Sequence, residues 1–405
     1  MRRSPGAAIV LAASFLIAPV AALQLFAATA QPLGAQAPQL WLTQETRIDG
    51  NTELLSRFRT VVVASDGRMF IPDRDAMQLR IFAATGKAMG TFGRKGNGPG
   101  EFQDLGSAIG WHGDTLWIFD FNARRVTYVA PDMQVIRTVS TVAAAGTAPP
   151  APDDEKRMPM TNMMADHVYR DGSYLTRKSF GPPDPATFYA TDSRMIIIGP
   201  DGTIRREVGR LPPTAGRVFL QDPVGRGVFG ADVPFASHSF QATSRDGNRV
   251  AFLSPATMSG SRGSYTLNIV STTGDTALHR TFTFDGVRIP RARLDSALDA
   301  IPTQYRARNN STVGPQMRDK ARAVAPEYYA PVSALTFGDD DTIWLTVYES
   351  GPGVRARALD AKGNTIGEVL LPPRTIIARA TRSKIWAIES DADDVQSVVV
   401  YRVVR

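Results

Sequence analysis

"VVVASDGRMFIPDRDAMQLRIFAATGKAMGTFG" (residues 61–93) alternates short β-rich runs with turn residues. It reads as strand, Asp-Gly turn, strand, polar loop, strand, Thr-Gly turn, strand; glycine supplies the positive φ that tight hairpins need. The grammar repeats at once in "SAIGWHGDTLWIFDFNARRVTYVAPDMQVIRTV" (107–139), where Gly113-Asp114 replaces Asp66-Gly67 and Asp120 stands where Asp73 stood. It returns in "HVYRDGSYLTR" with "RMIIIGPDGTIRREVG", and in "SFQATSRDGNRVAFLS" with "YTLNIVSTTGDTALHRTFTF". Two further pairs follow, "SALTFGDDDTIWLTVYES" with "VRARALDAKGNTIGEVLL", and "IIARATRSKIWAIES" with "SVVVYRVV".

A large apolar side chain recurs in the second strand of each unit, as Phe70, Trp117, Phe252, Trp344 and Trp386. Packing between adjacent sheets demands such a residue. Six units of one grammar predict an all-β chain, a six-bladed β-propeller with four-stranded blades over residues 39–405. The last unit has three strands only, and "LWLTQETRI" (40–48) is left over to supply the fourth. That closure joins first and last blades without an open edge.

The glycines of "FGRKGNGPGEFQDLGSAIGW" (92–111) surround Arg94 and Lys95, and so raise the question of a phosphate cradle. A phosphate loop runs directly into a helix and ends in Gly-Lys-Ser/Thr. Neither is present, so the stretch reads as the turn between blades 1 and 2. It resembles the inter-blade segment of NHL-repeat propellers, and "SRDGNRVAFLS" (244–254) is similar to the TolB-type repeat. The resemblance implies the six-bladed fold and leaves the function open, because such folds host unrelated roles. Only this first inter-blade segment carries the full glycine-rich form.

Arg2 and Arg3 precede an apolar run from Gly6 to Ala28, with Ala28-Thr29-Ala30 as a small-residue exit. Residues 1–30 are expected to be a signal peptide that sends the chain to the periplasm or outside the cell. An uncleaved anchor is the other reading of the same run. The chain has no cysteine, so neither disulfides nor thiol chemistry enter. The formal charge of +7 is spread among interspersed acids and bases, which speaks against nucleic acid as a partner. A monomer without stable membrane insertion after cleavage is expected.

Residues 140–162, 211–236 and 286–331 break the blade grammar. Each joins the fourth strand of one blade to the first of the next, so all three would crown one face. The third, between blades 4 and 5, has helical composition, with Leu294, Leu298 and Ile301 at i, i+4 and i+7. Long loops on a rigid scaffold commonly carry function.

The candidate ligand site is therefore the channel mouth on that face. Its polar residues enter the first strands (Arg57, Asp104, Asn162, His238, Arg374) or end the second ones (Asp73, Asp120, Asn122, Arg124, Lys178, Glu389). Asp73 and Asp120 sit at equivalent positions, where they either bind a divalent cation with Asn122 or cap their strands and pair with arginine. The four histidines lack metal-ligand spacing; His112 and His279 are expected to be exposed, and His238 is the best placed as a ligand or base.

The leading expectation is a binding or scaffold module that takes a protein, peptide or glycan on the crowned face, with no cofactor and no bound metal. The alternative is a metal-dependent hydrolase or lactonase resembling the gluconolactonase-type propellers, with calcium held by Asp73, Asp120, Asn122 and Glu389. A quinone-dependent dehydrogenase would have only Arg57, Arg374 and His238 to work with.

Overall fold

A computed structural model describes residues 31–32, 37–105, 108–141, 165–183, 190–211, 216–221, 228–302, 313–347 and 353–405. The predicted signal segment, Asn162 and nearly all of the 140–162 insertion lie outside the described residues.

Six antiparallel sheets of the expected grammar stand around a central channel. Their innermost strands are Val62–Val63, Ile109–His112, Ala165–Val168, Phe240–Thr243, Val332–Phe337 and Thr375–Ala380. Trp41–Ile48 pairs antiparallel with Gln396–Val404, from Trp41 opposite Val404 to Ile48 opposite Val398. The first described long strand thus completes the last blade, as the leftover "LWLTQETRI" required. Blade 4 carries more than four strands: Gln31–Pro32 runs parallel beside Phe282 and Thr283, and Thr257–Ser259 folds back onto Arg262–Ser264.

The core is divided, because each sheet buries both faces against neighbours. Six of the buried clusters among the described residues each fill one seam between adjacent blades. The repeated aromatic slot explains them. Trp117 packs against Val168, Tyr174 and Ile198 of blade 3, and Trp344 packs against Ile377 and Ile385 of blade 6. Among the described residues, the seam between blades 3 and 4 has the fewest buried members, Leu175, Met195, Val208, Val250 and Phe252.

The glycine-rich connection has its own occupant. Glu101 accepts from the Gly98 amide at 2.8 Å and from Arg94 Nε at 2.8 Å. A β-carbon on Gly96 would lie 2.2 Å from Glu101 Oε2, and one on Gly93 would lie 2.7 Å from the ring of buried Phe102. The glycines are therefore needed to fold the chain around an internal carboxylate and an aromatic wedge. The blade-turn reading holds.

Two insertions meet over blade 4. Residues Arg217–Gln221 and Val228–Asp232 form a hairpin, and the third insertion contributes helices Arg291–Asp299 and Val313–Ala323. Val313, Met317 and Ala321 recur every four residues, so one face of the second helix is apolar. That face packs with Leu298, Ile301, Ala231 and Val233 into a seventh, satellite core. Lys320 and Arg322 occupy its last turn, where the helix dipole favours cations.

At the opposite end of the channel, Arg245 on the first turn of blade 4 reaches across to blade 1. Its guanidinium lies 3.4 Å from the Val63 carbonyl and 3.4 Å from Asp339 Oδ2, and Arg379 Nε donates to the same carboxylate at 2.6 Å. Side chains thus span the lower mouth.

Candidate functional site

The carboxylates expected at the channel mouth are engaged with their own backbone. Asp73 Oδ1 accepts from Ser56 Oγ at 2.9 Å and from the amides of Asp75 and Ala76. Asp120 is fully buried and accepts from the amides of Gln103, Asp104 and Ala123 at 2.8, 3.1 and 2.8 Å. Their equivalence in sequence therefore reflects a shared capping duty at the turn between second and third strands. Met77 and Arg124, four residues on in each blade, both adopt the left-handed conformation that this turn imposes (φ 53° and 51°).

The other candidates are distributed. Arg74 pairs with Asp104 at 3.2 Å, and exposed Arg57 lines a cavity of about 270 Å³ beside Arg59, Arg74 and Thr60. Asn122 reaches the Gln103 carbonyl only at 3.5 Å. Glu389 is held by Arg47 at 2.8 Å and by the Tyr401 hydroxyl at 2.5 Å, and Arg374 pairs with Asp394. Lys178 is buried in its strand opposite Arg194. His238 is packed under the hairpin insertion, where a β-carbon on Gly216 would meet its ring at 2.7 Å. Among the described residues no three His, Asp or Glu side chains group as a metal site. The calcium set of Asp73, Asp120, Asn122 and Glu389 is thus not assembled: its buried member already has three amide donors.

Two larger concavities take the place of that mouth. On the crowned face, a groove of about 640 Å³ runs between the hairpin, the end of the second crown helix with Pro326–Ala330, and the blade 4 lip at Pro255, Ala256 and Met258. Its walls are largely apolar, with Val218, Phe219, Val233, Val324, Tyr328 and Tyr329, and Lys320 Nζ donates to the Phe219 carbonyl at 2.8 Å.

The second concavity, of about 710 Å³, opens on the opposite face where blades 2, 3 and 4 meet. The turns between first and second strands bring His112, Tyr169, Arg170 and Asp246 there, and the outer turn of blade 4 brings Thr272 and Thr273. His112 is half-buried, not exposed as the sequence suggested, because its blade 2 edge is covered by the Val168 carbonyl of blade 3. That carbonyl can only accept, so Nε2 carries the proton. Burial, followed by the charges of Arg170 and Arg137, holds the imidazole below its usual range. His167 is buried 5.8 Å away, centroid to centroid, edge-on to Trp117 and Tyr169; burial and then His112 push it down to about 4. Both rings are therefore neutral at pH 7. Sequence reasoning missed this cluster because it read the histidines singly. The available signal was that both lie on first strands of neighbouring blades.

Comparison with known proteins bears on the fold. The family model DUF5128, described as a 6-bladed beta-propeller, matches residues 51–141, which span blades 1 and 2. No curated protein matches the sequence. Among solved structures, a DUF4221 family member from Bacteroides vulgatus is 9% identical, covering 91% of this chain and 99% of its own, at a TM-score of 0.49. A protein of Bacteroides fragilis described as exported is 12% identical, covering 90% and 96%, at 0.43. Regucalcin from Agrobacterium tumefaciens, a calcium-binding protein, is 10% identical, covering 91% and 96%, at 0.37. No described helix is long and apolar enough to cross a membrane. With six blades, one divided core and a strand from near the N-terminus closing the last sheet, the chain is a six-bladed β-propeller.

Proposed function

We propose that the chain is an exported binding module that holds an extended segment of a partner protein in the groove of its crowned face. The observation that carries this reading is the origin of the groove walls. The hairpin and the helical insertion are not needed to close the propeller, yet they build a satellite core whose outer side is an apolar trough. Val324, at the end of the second helix, is 60% exposed on its rim. Exposed apolar surface bounded by polar residues is characteristic of protein-binding sites. The two crown helices carry Arg291, Arg293, Arg318, Lys320 and Arg322 against Asp295, Asp299 and Asp319, so an occupant with apolar anchors and acidic flanks fits best. Export rests on the basic, apolar and small-residue pattern of residues 1–30.

The hydrolase alternative needs carboxylates free to take a cation, and the engagement of Asp73 and Asp120 with backbone amides gives it no support.

Selection from a displayed random dodecapeptide library on the mature chain tests the proposal. Enriched peptides should share apolar positions flanked by Asp or Glu, and Val324→Asp should weaken them about ten-fold or more. Peptides without that pattern, or binding that is indifferent to Val324→Asp and to Met258→Asp, would overturn it.

A further inference from the structure

The cavity on the uncrowned face belongs neither to that groove nor to the channel mouth. We propose that it is a second, independent site, which binds a small amphipathic anion with an aromatic or branched aliphatic body and a single carboxylate. Its volume of about 710 Å³ falls within the range of small-molecule sites, which combine apolar walls with a few placed polar groups.

The charges single out one residue. Arg205 is tied to Asp171 at 2.6 Å, and Arg206 donates to the Thr273 carbonyl at 2.7 Å. Asp246 is engaged by Ser244 Oγ at 2.6 Å, by the Asn248 amide at 3.0 Å and by the Asn248 side chain at 2.9 Å. Asp171 also accepts from the Ser173 amide at 2.9 Å. Each carboxylate of the lining is therefore matched by donors of its own turn or strand. Arg170 has no hydrogen-bond or ion-pair partner among the described residues, and it extends over Gly113, where a β-carbon would lie 3.4 Å from its Nη2. A guanidinium at the rim of an apolar cavity can receive a carboxylate bidentately.

The walls favour a flat or branched body. Trp111 and Ile197 line the cavity together with the rings of His112, His167 and Tyr169. The two imidazoles are neutral, so they add no cation to compete with Arg170. The cluster is held in place across the blades: Tyr169 donates its hydroxyl to the Gly247 carbonyl at 2.8 Å, and His112 Nε2 donates to Val168. The walls therefore need little ordering on binding.

Three probes with one apolar body and different charge test it by titration calorimetry on the mature chain: indole-3-acetate, indole-3-acetamide and tryptamine. The acetate should bind about ten-fold more tightly than the amide, and tryptamine weakest of all. Arg170→Ala should reduce the acetate to the affinity of the amide and leave the amide unchanged. Ile197→Trp should abolish both by filling the cavity. Thr273→Trp at the rim should do the same, and serves if Ile197→Trp fails to fold by circular dichroism. Equal affinity for the three probes, acetate binding that survives a folded filling variant, or no acetate binding at millimolar concentration would overturn the site. Failure of the crown-groove proposal would change none of these readouts.

Discussion

A β-carbon on Gly247 would stand 2.3 Å from Cδ2 of His167. The turn of blade 4 therefore rests directly on a buried imidazole of blade 3, and both residues are constrained by one contact. Gly247 also sits at φ 73°, a conformation that costs other residues free energy. Gly247→Ala should destabilise the chain by about 2–4 kcal/mol through strain and displacement of the ring. Urea titration followed by tryptophan fluorescence measures the loss.

The same imidazole makes stability depend on pH. Burial lowers His167 to about 4 in the folded chain, below its ordinary 6.5. The unfolded chain therefore binds the extra proton first, and stability present above about pH 6.5 declines as pH falls toward 4. The full shift corresponds to about 3 kcal/mol. His112 disfavours the proton on His167, Asp246 favours it, and Tyr169 stays neutral throughout this window. In His167→Phe, the difference from the parent should shrink by about 2 kcal/mol between pH 7 and pH 4.5, most of the full shift, in matched urea titrations.

Asp120 supports its turn rather than a cation. Asp120→Ala leaves three amides, those of Gln103, Asp104 and Ala123, without an acceptor. A loss of about 3 kcal/mol is expected, with the same drop in melting temperature in EDTA as in excess calcium. A drop that calcium alone enlarges would mean that the carboxylate serves a metal.

The crown should loosen without the propeller. Leu298 and Met317 are fully buried in the satellite core and contribute to none of the blade seams. Met317→Ala should cost about 2–4 kcal/mol locally. Hydrogen exchange should accelerate in Val313–Ala323 and in the hairpin strands Arg217–Gln221 and Val228–Asp232 while the inner strands keep their protection.

What the sequence made legible was whatever repeats. Phe70, Trp117 and Trp344 announce the seams because each blade must bury the same slot, and the stray "LWLTQETRI" announces the closure because a three-stranded blade leaves an edge. The equivalence of Asp73 and Asp120 was visible too, but a capping carboxylate and a metal ligand are the same letter at the same spacing; only the amide partners distinguish them. The lower cavity was hidden for a different reason. His112, His167, Tyr169 and Asp246 come from three blades, and their convergence depends on how adjacent sheets are rotated, which no single repeat records. The satellite core was half visible: the spacing of Leu298 and Ile301 marked a helix face, while nothing marked the hairpin as its cover.

The closing strand also decides where the ring yields. Seven paired positions between Trp41–Ile48 and Gln396–Val404 clasp the circle inside a sheet, by the backbone ladder that holds each blade together. The junction of blades 3 and 4 has no backbone ladder among the described residues: it is joined by the smallest of the six described seam clusters and by isolated side-chain hydrogen bonds such as Tyr169 to the Gly247 carbonyl, and the lower cavity sits along its edge. Under load or mild heat the circle should therefore part between Leu175 and Phe252, with the two ends of the chain still fastened to each other.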